Sequence, residues 1–346
     1  MKTGTAYDRI KGFFGRSGTF VKRRFVIAAA ALLIPALFCA CSRDVYPVEA
    51  QSADDYRLKV LQFNVQTENG NGTPFETRAS MYRELIDDLQ PDVVGMQEVT
   101  VKWIEWLDKK VFNGSYAGLG EARTPGGEAN SIYYRKDKFD LVDSGTFWLS
   151  DSPETAGSAF RLANYPRICT WVRLKDKKTD TEFVHLNTHL DHNGANDSSV
   201  ANTVRKDQMS VIVKFASRFA GIPVFLTGDL NSRRTTSSGD VRAVYKLATG
   251  LSSVTDGAGN TFTLNLSDSR LDSPVTVDAE HLSTMAANYD KNGSSYNPGR
   301  EPIDYIFYSS GFFEALSYET FLIGDENAMI SDHLPVFATF RLVHGS

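Results

Sequence analysis

Alternating apolar and polar positions predict a series of short β-strands along the chain. In segments such as 58–65 (LKVLQFNV) and 181–190 (TEFVHLNTHL), β-branched and aromatic residues recur at strand spacing between polar turns. The segments 167–174 and 181–190 are expected to pair as a hairpin across the polar sequence KDKKTD. The other predicted strands cover residues 92–99, 131–135, 139–150, 302–309 and 333–343, together with the run PVFLTGD that opens at residue 223.

Helical periodicity appears between these strands. One helix is predicted to end before Pro91, because apolar residues precede that proline at helical spacing: Met81, Tyr82, Leu85, Ile86 and Leu89. Further helices are expected near residues 103–107, 198–219 and 240–248, whereas the polar region 249–300 suits long loops around an active site. Apolar strands beside amphipathic helices predict an α/β domain whose sheet is covered on both faces.

The first 56 residues have the pattern of an export signal followed by a tether. Three basic residues precede the apolar segment 25–40, which leads into Cys41. The ending FCAC resembles a bacterial lipoprotein signal, so we expect an export signal over residues 1–40, a lipid on Cys41, and a tether over residues 41–56. Plain secretion is the simpler alternative. A permanent transmembrane helix is the weaker one, since about 20 apolar residues are needed to span a bilayer.

Removing the predicted signal changes the charge of the protein. The whole chain has 37 Lys and Arg against 42 Asp and Glu, and residues 1–40 contain seven of the former and one of the latter. The remaining 30 basic and 41 acidic residues give a net charge of −11. Such a domain repels polyanions, which disfavours a nonspecific binder of long DNA. Cys169, the one cysteine besides Cys39 and Cys41, lies in the apolar run ICTWV and is expected in the core.

Polar residues of one kind recur where the predicted strands end. Taken singly, each is best explained as a cap or turn residue. Carboxylates and amides from many strand ends form a set that suits Mg²⁺ or Mn²⁺, since these cations prefer oxygen ligands. The set comprises Asn64, Glu98, Asn187, His189, Asp229, Asn231, Asp304, Asp332 and His333.

The order of these motifs resembles the endonuclease/exonuclease/phosphatase superfamily. FNV, QEV, YYR, NTHLDH, TGDLN, IDYIF and SDHLPV follow one another across nearly the whole domain, and GTFWLS with RICTW resembles a bacterial subgroup. The resemblance implies a four-layer α/β/β/α sandwich of two packed mixed sheets flanked by helices over residues 57–346. It also implies metal-dependent cleavage of phosphoester bonds.

The resemblance assigns roles to the metal-binding and water-activating residues. Glu98 is expected to bind the divalent metal ion, with Asn64 and Asp332 close to it. Asp229 is expected to orient or deprotonate the attacking water. His333, paired with Asp304, resembles the family's His-Asp dyad, in which the carboxylate fixes the imidazole tautomer.

It also assigns residues that contact the phosphate. His189 is expected to act as a general acid or as a hydrogen-bond donor. Arg167, Asn187 and Asn231 are expected to bind substrate, and Tyr134 matches the family's phosphate-contacting tyrosine. In the deoxyribonuclease I branch a glutamate two residues beyond that tyrosine supports the second histidine. Lys136 occupies that position here, so a close transfer of the nuclease mechanism is in doubt.

Other readings of the same residues remain open. A zinc site could form from the neighbouring residues His185, His189, Asp191 and His192. Arg233 and Arg234 could grip a second phosphate or remain a solvated pair. Phe147 and Trp148 could stack on a base, although as part of an apolar strand they are expected in the core.

We therefore expect a metal-dependent phosphoester hydrolase outside the cytoplasm, foremost a phosphodiesterase using Mg²⁺ or Mn²⁺. The expected substrate is a nucleotide, a nucleic acid or a phospholipid head group. The alternatives are a phosphomonoesterase acting on a small molecule or lipid head group, and a non-catalytic surface lipoprotein that binds a ligand. We expect a monomer bound to a membrane only through a lipid on Cys41, and the sequence indicates no protein partner.

Overall fold

Two β-sheets packed face to face form the centre of the structure, which is a computed structural model. The segments predicted as export signal and tether, apart from Tyr56, lie outside the residues that the structure describes and remain predictions. The described residues are 56–70, 72–192, 199–277, 284, 301–325 and 328–343.

The seventeen strands of the described residues include most of the predicted ones. In chain order they are β1 (Leu58–Asn64), β2 (Val93–Val99), β3 (Tyr116–Leu119), β4 (Ala129–Arg135), β5 (Phe139–Trp148), β6 (Ile168–Asp176), β7 (Glu182–His189), β8 (Val224–Asp229), β9 (Val254–Thr255), β10 (Thr261–Phe262), β11 (Ser267–Asp268), β12 (Thr276–Val277), β13 (Asp304–Tyr308), β14 (Phe313–Thr320), β15 (Gly324–Asp325), β16 (Ala328–Met329) and β17 (Val336–Leu342). One sheet has the order β12-β14-β17-β1-β2-β4-β3 and the other β11-β13-β8-β7-β6-β5. Both sheets are mixed, and the predicted hairpin of β6 and β7 is confirmed.

Five α-helices accompany these sheets in the described part of the chain, and a 3-10 turn, Ser217–Phe219, follows the third of them. They are α1 (Phe75–Leu89), α2 (Val101–Trp106), α3 (Ser199–Ala216), α4 (Ala243–Ala248) and α5 (Ser269–Asp272). α2 continues as a π-helical segment, Leu107–Phe112. α1 ends as its sequence predicts, because Gln90 adopts a left-handed conformation (φ 47°) directly before Pro91.

The helices cover the outer faces of the two sheets. The ring of Tyr82 on α1 stacks on Phe63 of β1 with 5.7 Å between ring centroids, and its hydroxyl reaches Met96 Sδ on β2. On the other side, Met209 and Ile212 of α3 share one buried core with residues of β7 and β8. The layers are therefore α/β/β/α, which confirms the predicted fold class.

The space between the sheets is narrow and partly polar. Gly95 of β2 faces the other sheet, where a Cβ atom at this position would lie 2.2 Å from Thr227 Oγ1 and 2.9 Å from Asn187 Oδ1. Only glycine allows this approach. Gln62 and Asn64 on β1 also point across the gap, since alternate residues of a strand share a face. Their side chains contact Asp304 and Asp229 of the other sheet.

Some elements were not predicted from the sequence. β14 and β3 were missed, and the expected loop region contains short strands and α5. Part of that region, residues 278–283 and 285–300, lies outside the described residues. Among the helices of the described residues, none has the length and hydropathy of a membrane span.

Candidate active site

Strand register brings three of the predicted residues together at one edge of the six-stranded sheet. β7 and β8 run parallel and pair His189 with Asp229, while antiparallel β13 pairs Asp304 with Asp229. The ends of β7 and β8 and the beginning of β13 therefore lie side by side. Asn64, at the end of β1 in the opposite sheet, reaches this edge by donating from Nδ2 to Asp229 Oδ2 over 3.1 Å.

His333 and Asp304 form a buried dyad at this edge. His333 Nδ1 lies 2.8 Å from Asp304 Oδ2, which also accepts a 2.6 Å hydrogen bond from the Thr284 hydroxyl. The other carboxylate oxygen accepts a 2.8 Å hydrogen bond from Gln62 Nε2. Because both oxygens are engaged, the carboxylate is fixed in orientation and holds the imidazole ring with it.

Asp229 is the centre of the cluster. Its Oδ2 atom lies 3.6 Å from His333 Nε2 and 3.3 Å from His189 Nε2. Its Oδ1 atom accepts a 2.9 Å hydrogen bond from the backbone N–H of Asn231, which adopts a left-handed conformation (φ 47°). Asparagine tolerates this conformation better than most residues.

His189 and Asn231 lie on the other side of Asp229. Asn231 Nδ2 is 3.1 Å from His189 Nε2 and donates to the Leu190 carbonyl over 3.1 Å. The Nδ1 atom of His189 is buried and has no hydrogen-bond partner among the described residues. The two side chains therefore present neighbouring polar groups that a single phosphate oxygen can contact.

The environment shifts the pKa values of His189 and His333 in opposite directions. Burial lowers the pKa of His189 well below its usual value, and the positive charges of Arg167 and His333 add to this effect. Burial opposes the charged form of His333 as well, but Asp304 and Asp229 outweigh it and raise the pKa of His333 well above the usual value. Burial also raises the pKa of Asp229. His189 is therefore neutral beside a protonated His333, and such a pair can divide acid and base roles.

Glu98 and Asp332 provide carboxylates at the half-exposed mouth of the site. Asn64 Nδ2 donates to Glu98 Oε1 over 3.2 Å, and Glu98 adopts a left-handed conformation (φ 61°) that is strained for this residue. Burial raises the pKa of Asp332, and the negative charge of Glu98 raises it further. Two carboxylates that repel each other form a donor set that fits a divalent cation, while the amide oxygen of Asn64 accepts a hydrogen bond from the backbone N–H of Gln66.

A second group of side chains also has the spacing of metal ligands. Among the described residues, ligand atoms of Asp229, Asp304 and His333 lie within 4.8 Å of one another. Asp304 Oδ2 already contacts His333 Nδ1 and Thr284, so a cation there would compete with the dyad. The proposed ligands Glu98, Asn64 and Asp332 leave the dyad intact.

A sequence model of the Endonuclease/Exonuclease/phosphatase family matches residues 61–333, which is most of the chain. The chain belongs to that family. As a member of this family, the protein is a phosphoester hydrolase. The matched range ends at His333. No curated protein matches the chain.

Solved structures of the family share the fold. An endonuclease/exonuclease/phosphatase from Bacteroides vulgatus is 26% identical, with 83% of this chain and 100% of that chain covered at a TM-score of 0.68. The mannosyl-6-phosphatase of Bacteroides thetaiotaomicron is 27% identical, with 83% and 99% covered at a TM-score of 0.63. D. rerio TDP2, complexed with single strand DNA product, is 17% identical, with 83% and 99% covered at a TM-score of 0.60, which shows the fold alone.

The structure does not bring Tyr134 to the site, which corrects the role expected for it. β4 runs antiparallel to β2, and Tyr134 pairs with Val93 at the opposite end of β2 from Glu98. Five residues of strand separate those two positions, or about 16 Å. Lys136 lies beyond Tyr134, so its departure from the family pattern does not alter the site. Glu128, just before β4, lies at the site end instead.

Asn187 also departs from its expected role. Its side chain is fully buried between the sheets, where Nδ2 donates to the carbonyl oxygens of Met96 and Ser131. Oδ1 accepts from Gln97 over 2.6 Å and from Thr227 over 3.1 Å. Because these contacts engage both polar atoms of the Asn187 side chain, neither is left to bind a substrate. Asn187 instead supports the site from its position between the two sheets.

The structure bears on the alternative roles considered for the histidines, the aromatic residues and the arginines. His185 is buried and contacts Thr227 Oγ1 over 2.7 Å, while His192 is exposed, so the four residues of the zinc alternative do not converge. Phe147 belongs to the core and stacks on Phe215. Arg234 pairs with Glu301, whose carboxylate lies 3.1 Å away. Arg167 is buried near His189 and stays a candidate for substrate binding.

Several residues that shape the site were not predicted. Gln62 and Thr284 fix Asp304, and the Ser331 hydroxyl donates to the Asn64 carbonyl over 2.7 Å. Buried Arg78 on α1 donates to the carbonyls of Val65, Gln66, Thr67 and Ile330, which flank Asn64 and Asp332 along the chain. Gln62 could have been found from the sequence, because it is a polar residue at an inward position of an apolar strand.

Proposed function

We propose that this protein is a divalent-metal-dependent phosphoester hydrolase that acts outside the cytoplasm. The observation that carries the proposal is the cluster of Asp229, His333 with Asp304, and His189 with Asn231 at one strand edge. The phosphatase among its relatives, 27% identical over 83% of the chain, supports hydrolysis of a phosphate ester.

The side chains divide the reaction between them. Asp229 orients the attacking water and accepts its proton, for which a raised pKa is favourable. His333, kept protonated by Asp304, stabilises the negative charge that develops on the phosphate. Asn231 and His189, whose Nδ2 and Nε2 atoms are 3.1 Å apart, hold a non-bridging oxygen so that phosphorus faces the attacking water.

Glu98, Asn64 and Asp332 would hold the divalent cation, with Mg²⁺ or Mn²⁺ favoured by their oxygen atoms. When bound, the cation supplies a Lewis acid for a phosphate oxygen. Arg78 supports these residues because it ties the backbone after Asn64 to the carbonyl of Ile330, two residues before Asp332.

The proposed location rests on the N-terminal sequence. A basic cluster, an apolar segment over residues 25–40 and Cys41 support export with lipid attachment. Phosphoester substrates in that compartment would be small phosphorylated molecules, nucleic acids or head groups. We also propose that the protein acts as a monomer.

A hydrolysis assay tests the proposal. Purified protein is incubated with p-nitrophenyl phosphate or bis-(p-nitrophenyl) phosphate in Mg²⁺, Mn²⁺ or EDTA, beside the variants His333→Ala and His192→Ala. We expect metal-dependent turnover that falls at least about 100-fold in His333→Ala, whereas the exposed His192 is not needed. Absence of turnover in every metal, or full activity of His333→Ala, would reject the proposal.

A further inference from the structure

Two arginines pack against the ring of one exposed tyrosine near His189. The Cζ atom of Arg123 lies 4.6 Å from the centroid of the Tyr165 ring, and that of Arg167 lies 5.7 Å from it. Tyr165 is 44% exposed, while Arg167 is 5% exposed. A guanidinium that lies over an aromatic face keeps its N–H groups free for another partner.

Hydrogen bonds tie this group to the active site. Asn164 donates from its backbone N–H to Asp191 Oδ2 over 2.9 Å and from Nδ2 to the His192 carbonyl over 3.0 Å. Asp191 and His192 are the second and third residues after His189, so Tyr165 is held near the end of β7. The positive charges of Arg167 and Arg123 both lower the pKa of His189, which agrees with their closeness to the catalytic cluster.

The backbone of Arg123 is fixed from two sides. Its N–H donates to the Glu128 carbonyl over 2.9 Å, and its carbonyl accepts a 2.9 Å hydrogen bond from Trp148 Nε1. The loop before β4 therefore presents Arg123 at the end of the sheet where Glu98 lies. Arg123 belongs to the site by position, although no sequence motif indicates it.

Both guanidinium groups have hydrogen-bonding capacity that the protein does not use. Arg167 Nε and Arg123 Nη1 are buried and have no hydrogen-bond partner among the described residues. Arg123 Nη2 lies 3.2 Å from Glu128 Oε1, and Arg167 Nε is 3.8 Å from Asp191 Oδ1, which is itself unpartnered within the described part of the chain. These two carboxylates hold the arginines in place but leave part of each donor set open.

Placing two like charges together in a buried position is unfavourable by itself. Burial lowers the pKa of Arg167, and the positive charge of Arg123 lowers it further. Desolvation and repulsion of this kind are offset when an anion accepts hydrogen bonds from both groups. The arrangement is therefore typical of a site that binds an anion of more than one charge.

We propose that Arg123 and Arg167, both packed against the ring of Tyr165, bind the additional negative charge of a phosphomonoester, so that the enzyme prefers monoesters to diesters. The inference rests on the proposed function and names its substrate class. A monoester carries a terminal phosphate with one more ionised oxygen than a diester. Water attacks phosphorus, the ester P–O bond breaks, and the leaving alcohol takes up a proton while inorganic phosphate is released.

The test compares two substrates across matched variants. The values of kcat/KM for p-nitrophenyl phosphate and bis-(p-nitrophenyl) phosphate are measured at pH 8 for wild type, Arg123→Gln, Arg123→Lys and the control Arg173→Gln. Arg173 also pairs with a carboxylate, that of Glu182, but lies six residues along from Arg167 in β6. We expect Arg123→Gln to lower the monoester value about 10- to 100-fold and the diester value less than about threefold. Arg123→Lys should give an intermediate loss, and Arg173→Gln should leave the ratio of the two values unchanged.

A measurement on the wild type covers the case in which Arg123→Gln does not fold. Inorganic phosphate, a dianion at pH 8, should inhibit at least about tenfold more strongly than the monoanion dimethyl phosphate. Equal inhibition by the two anions, or equal losses on both substrates in Arg123→Gln, would overturn the inference. Lack of turnover on either substrate by the wild type would instead reject the proposed function itself.

Discussion

Gln62 connects the dyad of His333 and Asp304 to the polar contacts between the sheets. Its Nε2 atom donates to Asp304 Oδ1 over 2.8 Å, and its Oε1 atom accepts from Gln97 Nε2 over 2.7 Å. The side chain is fully buried, so water cannot replace these contacts. In the proposed mechanism Gln62 acts through Asp304 and is a positioning residue.

Replacing Gln62 with methionine should therefore lower kcat more than it changes KM. The Asp304 carboxylate would lose one of its partners, and we expect kcat to fall about 10-fold with KM within about twofold. Gln90→Met, at the exposed end of α1, is the control. Steady-state kinetics give kcat and KM of each variant, and a thermal unfolding curve shows that each is folded. An unchanged kcat in a folded Gln62→Met protein would show that Asp304 is held without it.

Asp268 destabilises the fold when it is ionised. Burial raises its pKa to about 6, although its oxygens accept hydrogen bonds from the Arg270 N–H and the Tyr245 hydroxyl. A carboxyl whose pKa is higher in the folded state binds more protons there than in the unfolded chain. Its contribution to stability is therefore present below pH 4 and is lost as the pH rises through about 6.

Asp268→Asn should remove this pH-dependent loss. We expect the variant to exceed the wild type by about 1–3 kcal/mol in free energy of unfolding at pH 8 and to show no such gain at pH 4. Urea unfolding at both pH values measures the difference. Asp256→Asn serves as the control, because hydrogen bonds from Asn260 lower the pKa of that exposed carboxyl and the gain should be absent. A gain of equal size at both pH values would contradict the argument.

Residues at strand ends were easier to predict than residues within strands. Asp229, His189 and Asp304 stand where an apolar run gives way to polar residues, and parallel or antiparallel register then brings such ends together. Tyr134 lies inside a strand, and the sequence alone does not say which end of that strand faces the site. Arg123 and Arg78 depend on tertiary contacts that no local pattern contains.

At the level of elements, α1 links the outer layer to the residues proposed to bind the metal ion. Arg78 is fully buried on the inner face of this helix and donates to Thr67 O over 2.8 Å and to Ile330 O over 2.9 Å. These carbonyls lie in the loops that follow Asn64 and precede Asp332. The helix therefore holds two separate loops in one arrangement.

Arg78→Lys should weaken metal binding, because a lysine keeps the charge but cannot reach several carbonyls at once. We expect the Mg²⁺ or Mn²⁺ concentration for half-maximal activity to rise about 10-fold or more. Arg83→Lys is the matched control on the same helix, since Arg83 is exposed and its ion pair within the described residues is with Asp87. If metal titration curves of Arg78→Lys and wild type coincide, α1 does not support the metal-binding residues.

Periodicity predicted single elements better than their arrangement. α1 and α3 were confirmed because their apolar residues follow helical spacing over several turns. β14 was missed because its sequence FEALSYET mixes charged and apolar residues, as suits a strand near a sheet edge. The order of strands in two sheets could be predicted only through the resemblance to a family, since pairing between distant segments leaves no local signal.

At the level of the whole molecule, charge and fold are consistent with a small anionic substrate. The net charge of −11 beyond residue 40 repels polyanions, so attraction for a phosphate has to come from local groups. The two arginines beside His189 are such groups, and the Glu98 and Asp332 carboxylates would contribute through a bound cation. This distribution of charge favours a small anion bound within the site over a polyanion.

The N-terminal sequence leads to a prediction about where the molecule resides. A single acyl chain holds a protein only weakly, whereas the several chains of a lipoprotein anchor give stable attachment. If Cys41 carries such an anchor, the wild type should sediment with membranes in a bacterial host that processes lipoproteins. Cys41→Ser should shift most of the protein to the soluble or secreted fraction or leave the signal uncleaved, and Cys169→Ser should not. Labelling with a radioactive fatty acid separates these cases, because the label should be lost only in Cys41→Ser; equal labelling of the two variants would contradict lipidation at Cys41.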